Sequence, residues 1–600
     1  MKSNANTNKK QTVLNGAMIL MAAVLLVKVI GVLFKMPMTS MIGATGRGYF
    51  SSAYEIYTPI FAIAMAGLPV AVSKMVAESV ALSRYQEARN IFRVSKKVFM
   101  IVGIAGTAVL LIASWPYTAL VGKPKALPAV LCVAPSIFLC CYMSAYRGYY
   151  EGLRNMKPTA VSQVIEALGK LVLGLVFIKI IIVAGTNSFN NTGVVFGQKV
   201  NDLTQANSII MPYAAAGAVL GVTIGSGLSL LFLALHFRRY NDGFTGIQLA
   251  DPQESKPDKS LSSEMIKIAI PMVISALVLN LTNLIDVTTV QSRLKSALEN
   301  NPETVINMFR ASLEAAESKK LLNLSVIEDV SSYIWGAYSA ALDFKTLVPT
   351  ITIQLGVSAL PALATAWAIK NRDDIKSSIE TVLRVGMIIA FPAGLGMAFL
   401  AKPILTLIYG GGNSADMVNV VAPMLVVYGV FTPIIAVSTP ITSMLQAVGR
   451  ADIPMKTVIG AAIFKIVCNF ALVGIPGINI YGAVAGTVLF YVIIVSTNLF
   501  RLISITGVKI NWKSIILKPC ISALLCGVTA FAVNGLINIF FTSLSARVMS
   551  FVGCILGVCL GAIVYAVCLL FIKGVAREDV IVLPKGEKIA KLLEKYRLLG

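Results

Sequence analysis

The chain holds one histidine, four tryptophans and few charges, with only 13% of its 600 residues Asp, Glu, Lys or Arg. Its nine cysteines form no C-x-x-C pair, and Cys132, Cys140, Cys141, Cys468, Cys554, Cys559 and Cys568 sit inside apolar runs. With His236 as the sole imidazole, neither a zinc site nor a disulfide framework is expected. No nucleophile–base constellation is legible, and Gly410-Gly411-Gly412 lacks the lysine of a phosphate-binding loop, so an enzyme is not expected. Acidic residues are scarce as well, 28 against 51 basic, for a net charge of +23. That excess does not point to nucleic acid, because the basic residues sit mostly at the ends of apolar runs, where they report topology.

What the chain has in abundance is apolar length: 56% of it is hydrophobic, in long runs rather than alternation. Span-length runs fall at about 13–36, 50–78, 97–120, 127–150, 158–184 and 209–236. A second set falls at about 264–290, 334–367, 378–400, 416–448, 456–474, 480–504, 515–540 and 547–573. The expected fold is an all-α polytopic membrane protein of about 14 helices, each needing ~20 apolar residues. Lys9 and Lys10 ahead of the first run imitate a signal peptide, but no small-residue cleavage site follows, so an uncleaved first helix is expected.

An even helix number places both termini on one side. With the termini inside, inner loops carry about 32 Lys/Arg and outer loops about 11, five of the latter (Arg293, Lys295, Arg310, Lys319, Lys320) in one long segment. The clusters Arg84/Arg89/Arg93/Lys96/Lys97, Arg238/Arg239 and Lys585/Lys588/Lys591/Lys595/Arg597 are then cytoplasmic, set for topology and contact with anionic membrane lipids.

The expected organisation is an N-terminal six-helix lobe (1–236), a polar, Pro-containing cytoplasmic linker (237–263) and a C-terminal six-helix lobe (264–504). Two extra helices (505–573) and a basic cytoplasmic tail (574–600) follow. An external helical insert is expected at 291–331, where Val305, Met308, Phe309, Leu313, Leu321 and Leu322 recur at helical spacing.

Two landmarks repeat. Gly67-Leu68-Pro69-Val70-Ala71 is echoed 292 residues later by Ala359-Leu360-Pro361-Ala362-Leu363. The turn Arg154-Asn155-Met156-Lys157-Pro158 is echoed 296 residues later by Arg450-Ala451-Asp452-Ile453-Pro454, and each is followed by a lysine inside a span, Lys170 and Lys465. Six helices per half preserve orientation, so the halves are expected to be parallel repeats, as in transporters whose substrate site lies between halves that rock.

The stretch from Lys28 to Glu78 is where charge enters the membrane. Lys28 and Lys35 are seven residues apart and share one helix face. They either snorkel to the two interfaces or line a cationic cavity.

GATGRGYFSSAYEIYTPIFAIAMAGLPVAVSKMVAE, the turn YRGYYEGLRNMKPTAVSQVIE (Tyr146 to Glu166) and its echo TSMLQAVGRADIPMK resemble the multidrug/oligosaccharidyl-lipid/polysaccharide exporter superfamily. Within its polysaccharide and lipid-linked-precursor branch, the chain is most similar to the group of stage V sporulation protein B and the MurJ-type lipid II flippases. The resemblance implies a flippase for a polyprenyl-pyrophosphate-linked cell-wall precursor, with two six-helix bundles around a cationic cavity and a groove for the lipid tail along the last two helices. MurJ-type members carry arginines on the first, second and eighth helices. Here the first helix has Lys28 and Lys35, and the eighth has Asp343 and Lys345, so point charges replace bidentate forks.

A pyrophosphate crossing the membrane needs fixed cations to offset desolvation. The candidates are Lys28, Lys35, Lys170, Lys345, Lys465 and, nearer the surface, Arg47. Glu166 lies four residues before Lys170, the spacing of a helix-face ion pair. Asn280, Asn283 and Asp286 share a side of the seventh helix. With Asn469 they supply either a site for a coupling cation, Na+ or H+, or interhelical hydrogen bonds. No other cofactor is expected. Two alternatives remain. A cation-coupled multidrug exporter would favour an acidic or aromatic cavity. A non-transporting scaffold recruiting cell-wall synthesis enzymes or spore-coat enzymes would not need the lysines at all.

Overall fold

Apolar runs in lipid must satisfy their own N–H and C=O groups, and this chain does so with helices throughout. The structure, a computed structural model, describes residues 13–240, 244, 256–540, 545–577, 579, 591 and 593–595. Most of the expected linker, Lys9, Lys10 and the tail residues Lys585, Lys588 and Arg597 lie outside the described residues. Among the described helices, eleven are long and apolar enough to cross a membrane. The protein is an all-α polytopic membrane protein.

The described residues up to Ser292, together with Glu317–Gly336, form one compact unit; Arg293–Ala316 and the residues from Ala337 onward form a second. The first unit contains α1 (Val13–Ala66), α2 (Leu68–Ala81), α3 (Tyr85–Leu120), α4 (Leu127–Gly152), α5 (Met156–Thr192) and α6 (Leu203–Tyr240). It also takes α7 (Asp258–Asn300) as far as Ser292.

The turn within α1 is a single residue. Gly43, at φ 66° and ψ −173°, reverses α1 on itself. The rings of Phe34 and Phe50 meet at 6.1 Å, whereas sixteen residues of straight helix span about 24 Å. Only glycine, with no Cβ, adopts that left-handed φ at little cost. The second expected span then breaks at Gly67 into the end of α1 and α2. The third expected span is extended backward to Tyr85, because its basic first turns lie outside the apolar stretch yet remain helical. A two-stranded hairpin, β1 (Val194–Val195) and β2 (Gln198–Lys199), follows α5; no strand was expected there.

In the insert, α8 (Pro302–Met308) and α9 (Arg310–Ser318) bury Val305, Phe309 and Leu313, as the periodicity predicted, while Met308 is exposed. Leu321 and Leu322 are buried as well. The eighth expected span is two helices, α10 (Ile327–Lys345) and α11 (Leu347–Ala368), broken at Thr346. The second unit continues with α12 (Arg372–Phe399), α13 (Ala401–Tyr409), α14 (Val418–Ala447), α15 (Asp452–Val473), α16 (Ile480–Thr506), α17 (Lys518–Phe540) and α18 (Ala546–Phe571).

The second echo has a structural counterpart. α4 and α14 end in the same cap, with Asn155 N–H donating to the Tyr150 carbonyl and Arg450 N–H to the Leu445 carbonyl, each at 2.9 Å. The left-handed residue is Arg154 in one turn and Gly449 in the other. Each turn is followed by a helix whose third residue is proline, Pro158 or Pro454. The first echo has no such counterpart: Pro69 opens α2 after the break, whereas Pro361 lies within α11.

Candidate functional site

Lys170 of α5 is the centre of an aromatic site in the first unit. Its Nζ donates to the Tyr54 hydroxyl at 2.9 Å and stands 5.0 Å from the centroid of the Phe34 ring and 4.9 Å from that of Tyr54. The α1 hairpin builds this wall, because Gly43 folds the Phe34 arm onto the arm carrying Phe50, Tyr54, Tyr57 and Phe61. Consecutive rings of that arm lie 4.8, 5.7 and 5.3 Å apart. The charges of both Lys35 and Glu166 reach the Tyr54 hydroxyl. Lys35 is half-buried, while Lys28 is exposed among Val24, Leu25 and Val29, which are exposed too. Arg47 is buried, 2% exposed, and its guanidinium donates to Thr39 at 2.8 Å across the hairpin bend.

The expected Glu166–Lys170 pair is replaced by a longer-range one. Glu166 Oε2 accepts from Arg147 of α4 at 2.9 Å, and Glu166 Oε1 accepts from Ser226 at 3.1 Å. Arg147 also donates to Ser162 and Ser229, at 2.9 and 3.3 Å. Arg147 and Glu166 are 8% and 25% exposed. Arg147→Ala is therefore expected to destabilise the protein by about 3–5 kcal/mol by stranding a buried carboxylate. Adding Glu166→Gln should recover most of that loss, read as unfolding free energy in detergent.

The second unit has its own lysine–aromatic site. Lys345 Nζ lies 5.5 Å from the Tyr491 ring and Lys465 Nζ 5.6 Å from the Phe490 ring, and the two rings, neighbours on α16, are 5.2 Å apart edge to face. Sequence reasoning found the lysines of both sites but not their rings. Aromatic residues in a span look like any other apolar surface.

The coupling-ion candidates divide. Asn280 is half-buried, Asn283 exposed and Asp286 buried, all on α7 of the first unit. Asn469 belongs to α15 of the second unit, fully buried with its Oδ1 against Gly486 of α16, where any Cβ would collide with it. Asn469 thus serves helix packing. Among the described residues no trio of His, Cys, Asp or Glu is placed to hold a metal ion.

A third charged group escaped the sequence reading. Lys123 and Lys125, in the short connection between α3 and α4, meet the start of α10. Lys125 Nζ pairs with Asp329 at 2.9 Å and donates to Ser208 at 2.6 Å, while its backbone N–H donates to Glu328 at 2.8 Å. Asp329 also accepts from the Tyr49 hydroxyl at 3.1 Å. Lys123 is fully buried, with Nζ 2.8 Å from Gln291 Oε1 and 5.3 Å from the Trp335 ring. Burial pushes the Lys123 amine well below the usual lysine range; it pushes the Glu328 carboxyl up to about 7, against the pull of Lys125. A carboxyl raised from 4.5 to about 7 takes up a proton on folding across that window, so its contribution to stability falls as pH rises through it. The wild type is expected to lose stability relative to Glu328→Gln as pH rises from about 4.5 to about 7, in thermal unfolding at stepped pH.

Two family models match parts of the chain. The family model for polysaccharide biosynthesis proteins matches residues 13–198, and the MatE model matches residues 321–471. The chain is 23% identical over 532 residues to stage V sporulation protein B of Bacillus subtilis, covering 88% of this chain and 90% of that one. It is also 23% identical over 580 residues to the Bacillus subtilis lipid II flippase MurJ, covering 92% of this chain and 94% of the relative. In fold it matches a solved MurJ in an inward closed conformation with a TM-score of 0.58 at 13% identity, over 92% of this chain and 98% of that one. The resemblance to the multidrug/oligosaccharidyl-lipid/polysaccharide exporter superfamily read from the sequence therefore holds: the family models, the relatives and the solved fold that the chain matches are of that kind, and the chain is a multi-pass membrane protein.

Proposed function

We propose that the chain flips a polyprenyl-pyrophosphate-linked cell-wall precursor, lipid II or a close analogue, from the inner to the outer leaflet by alternating access. The observation that carries this reading is that each unit presents lysine against aromatic rings, Lys170 with Phe34 and Tyr54 in one, Lys345 with Tyr491 and Lys465 with Phe490 in the other; the charge of Lys35 reaches the Tyr54 hydroxyl as well. Amines supply the charge a pyrophosphate needs on leaving water, and ring faces stack against sugars. Lys28, on the same face as Lys35, extends the cationic surface along α1. The naming of one full-length relative as a lipid II flippase supports the same substrate class. Asp286, Asn280 and Asn283 are the ligands for a coupling Na+ or H+. The MatE match over 321–471 favours multidrug export as a second reading, but lysines repel the organic cations such exporters carry.

Both termini are cytoplasmic in this reading. Reporter fusions at Arg89, Gln253 and Lys588 should report the cytoplasm, and fusions at Asn190 and Ser318 the outside. The decisive experiment is rescue of a strain depleted of its lipid II flippase, with precursor accessibility measured on the outer leaflet. A protein inserted at normal level that restores neither growth nor accessibility would sink the proposal.

A further inference from the structure

The buried charges at the hairpin tip take no part in either lysine–aromatic site, yet they join five elements of the first unit. Lys123 and Lys125 come from the α3–α4 connection, Tyr49 and Ser52 from α1, Gln291 from α7, Ser208 from α6, and Glu328, Asp329 and Trp335 from α10. Ser52 Oγ donates to Gln291 at 2.7 Å and receives the Lys123 amine at 3.5 Å, and the Tyr117 hydroxyl closes on the Ser52 carbonyl at 2.9 Å. Beside this knot α1 and α10 cross with no side chain between them, Gly48 against the Ser332 carbonyl and Gly336 against the Ala44 carbonyl.

A joint meant only to stay shut is better made of apolar side chains, since buried charges contribute little net stability and cost desolvation. This one is made the other way. Lys123 is fully buried, and Asp329 Oδ2 and Gln291 Nε2 are buried with no hydrogen-bond partner among the described residues. Each of these atoms gains water when the knot parts, which offsets part of the cost of separation. The glycine crossing slides or opens without withdrawing an interlocked side chain, as an element with two discrete arrangements requires. By the positive-inside count this is the outer end of the molecule.

We propose that the Lys125–Asp329 pair and the Lys123–Gln291–Ser52 chain form a latch that closes the outer end of the first unit by holding the start of α10 and the end of α7 against the α1 hairpin, and that it must open for substrate to leave. The inference rests on the transport reading but not on which substrate is moved. Ser52, 0% exposed, is the inner link of the latch, so a thiol introduced by Ser52→Cys, which leaves the Lys125–Asp329 pair whole, reports its opening. In intact cells, a membrane-impermeant maleimide should label this introduced thiol slowly, and at least tenfold faster when Lys125→Gln or Asp329→Asn is added, with labelling resolved by peptide mass spectrometry. Cys140 and Cys141, both buried on α4, should stay unlabelled throughout. If Asp329→Asn fails to accumulate, Lys125→Gln carries the test alone, its parent amine being 31% exposed. An unchanged labelling rate at the introduced thiol in the folded variants overturns the latch. So does a rise shared by Cys140 and Cys141, which would make these residues supports of the fold. Failure of flippase rescue, with the introduced thiol responding as expected, would count against the substrate and leave the latch standing.

Discussion

Gly336→Leu is expected to abolish accumulation of folded protein. Gly336 on α10 faces the second arm of α1 so closely that a Cβ would overlap the Ala44 carbonyl oxygen and crowd the Gly48 nitrogen. Gly48 returns the contact against the Ser332 carbonyl. The obstacles are backbone atoms of two helices, which cannot rotate aside as a flexible side chain can. Overpacking a well-filled site costs about 1–3 kcal/mol and occasionally more. A leucine driven into a backbone crossing belongs among those exceptions, because no side-chain rotation relieves the overlap, and its cost competes with a total stability of roughly 5–15 kcal/mol. Gly48→Leu should behave alike. Gly460 on α15, with nothing within 4 Å of its added Cβ, is the control. Gly460→Ala should be neutral or slightly stabilising, since alanine is better than glycine by about 1 kcal/mol in a helix interior. Fluorescence size-exclusion profiles of tagged variants give the answer directly, and normal monodisperse Gly336→Leu protein would refute the crossing.

Removal of the lysines should abolish transport while sparing the fold. Lys170→Ala and Lys465→Ala each take one amine from its rings, and Lys35→Ala removes the second charge that reaches Tyr54. Charge-assisted contacts contribute roughly 1.5–3 kcal/mol each, so each loss should cut substrate engagement about tenfold or more. The lysines at both sites are only half-buried, so membrane insertion and protein level should hold. Arginine at these positions should retain partial activity, because it keeps the charge and the ring contact but presents a planar fork. Tyr54→Phe, which removes only the hydroxyl that Lys170 contacts, should cost less than Lys170→Ala. Lys28→Ala is expected to abolish complementation as well. If Lys28→Ala and Lys35→Ala both complement at normal expression, those two lysines are snorkelling anchors, and the cationic clamp fails with them.

The helices, their approximate ends and the buried stripe of the insert were legible in the sequence, because a span-length apolar run has no other way to satisfy its backbone. Periodicity named the right inward residues at Val305, Phe309 and Leu313 for the same reason. The lysines were legible because charge within such a run stands out. What periodicity reports is which face of a helix is apolar, never which distant helix meets it, and the departures among the charged residues follow from that. Glu166 was assigned to Lys170 by their spacing along one helix, but Arg147, nineteen residues away on α4, reaches it first. Arg47 stands out in the sequence as a candidate cavity charge, but only the bend at Gly43 brings its guanidinium onto Thr39. Lys125 has no partner legible in the sequence, since Glu328 and Asp329 lie about two hundred residues further on. Lipid and the chain's own hydrogen bonding determined the elements; only tertiary contact, through glycine crossings too tight for any side chain, decided which charges are buried and what they hold.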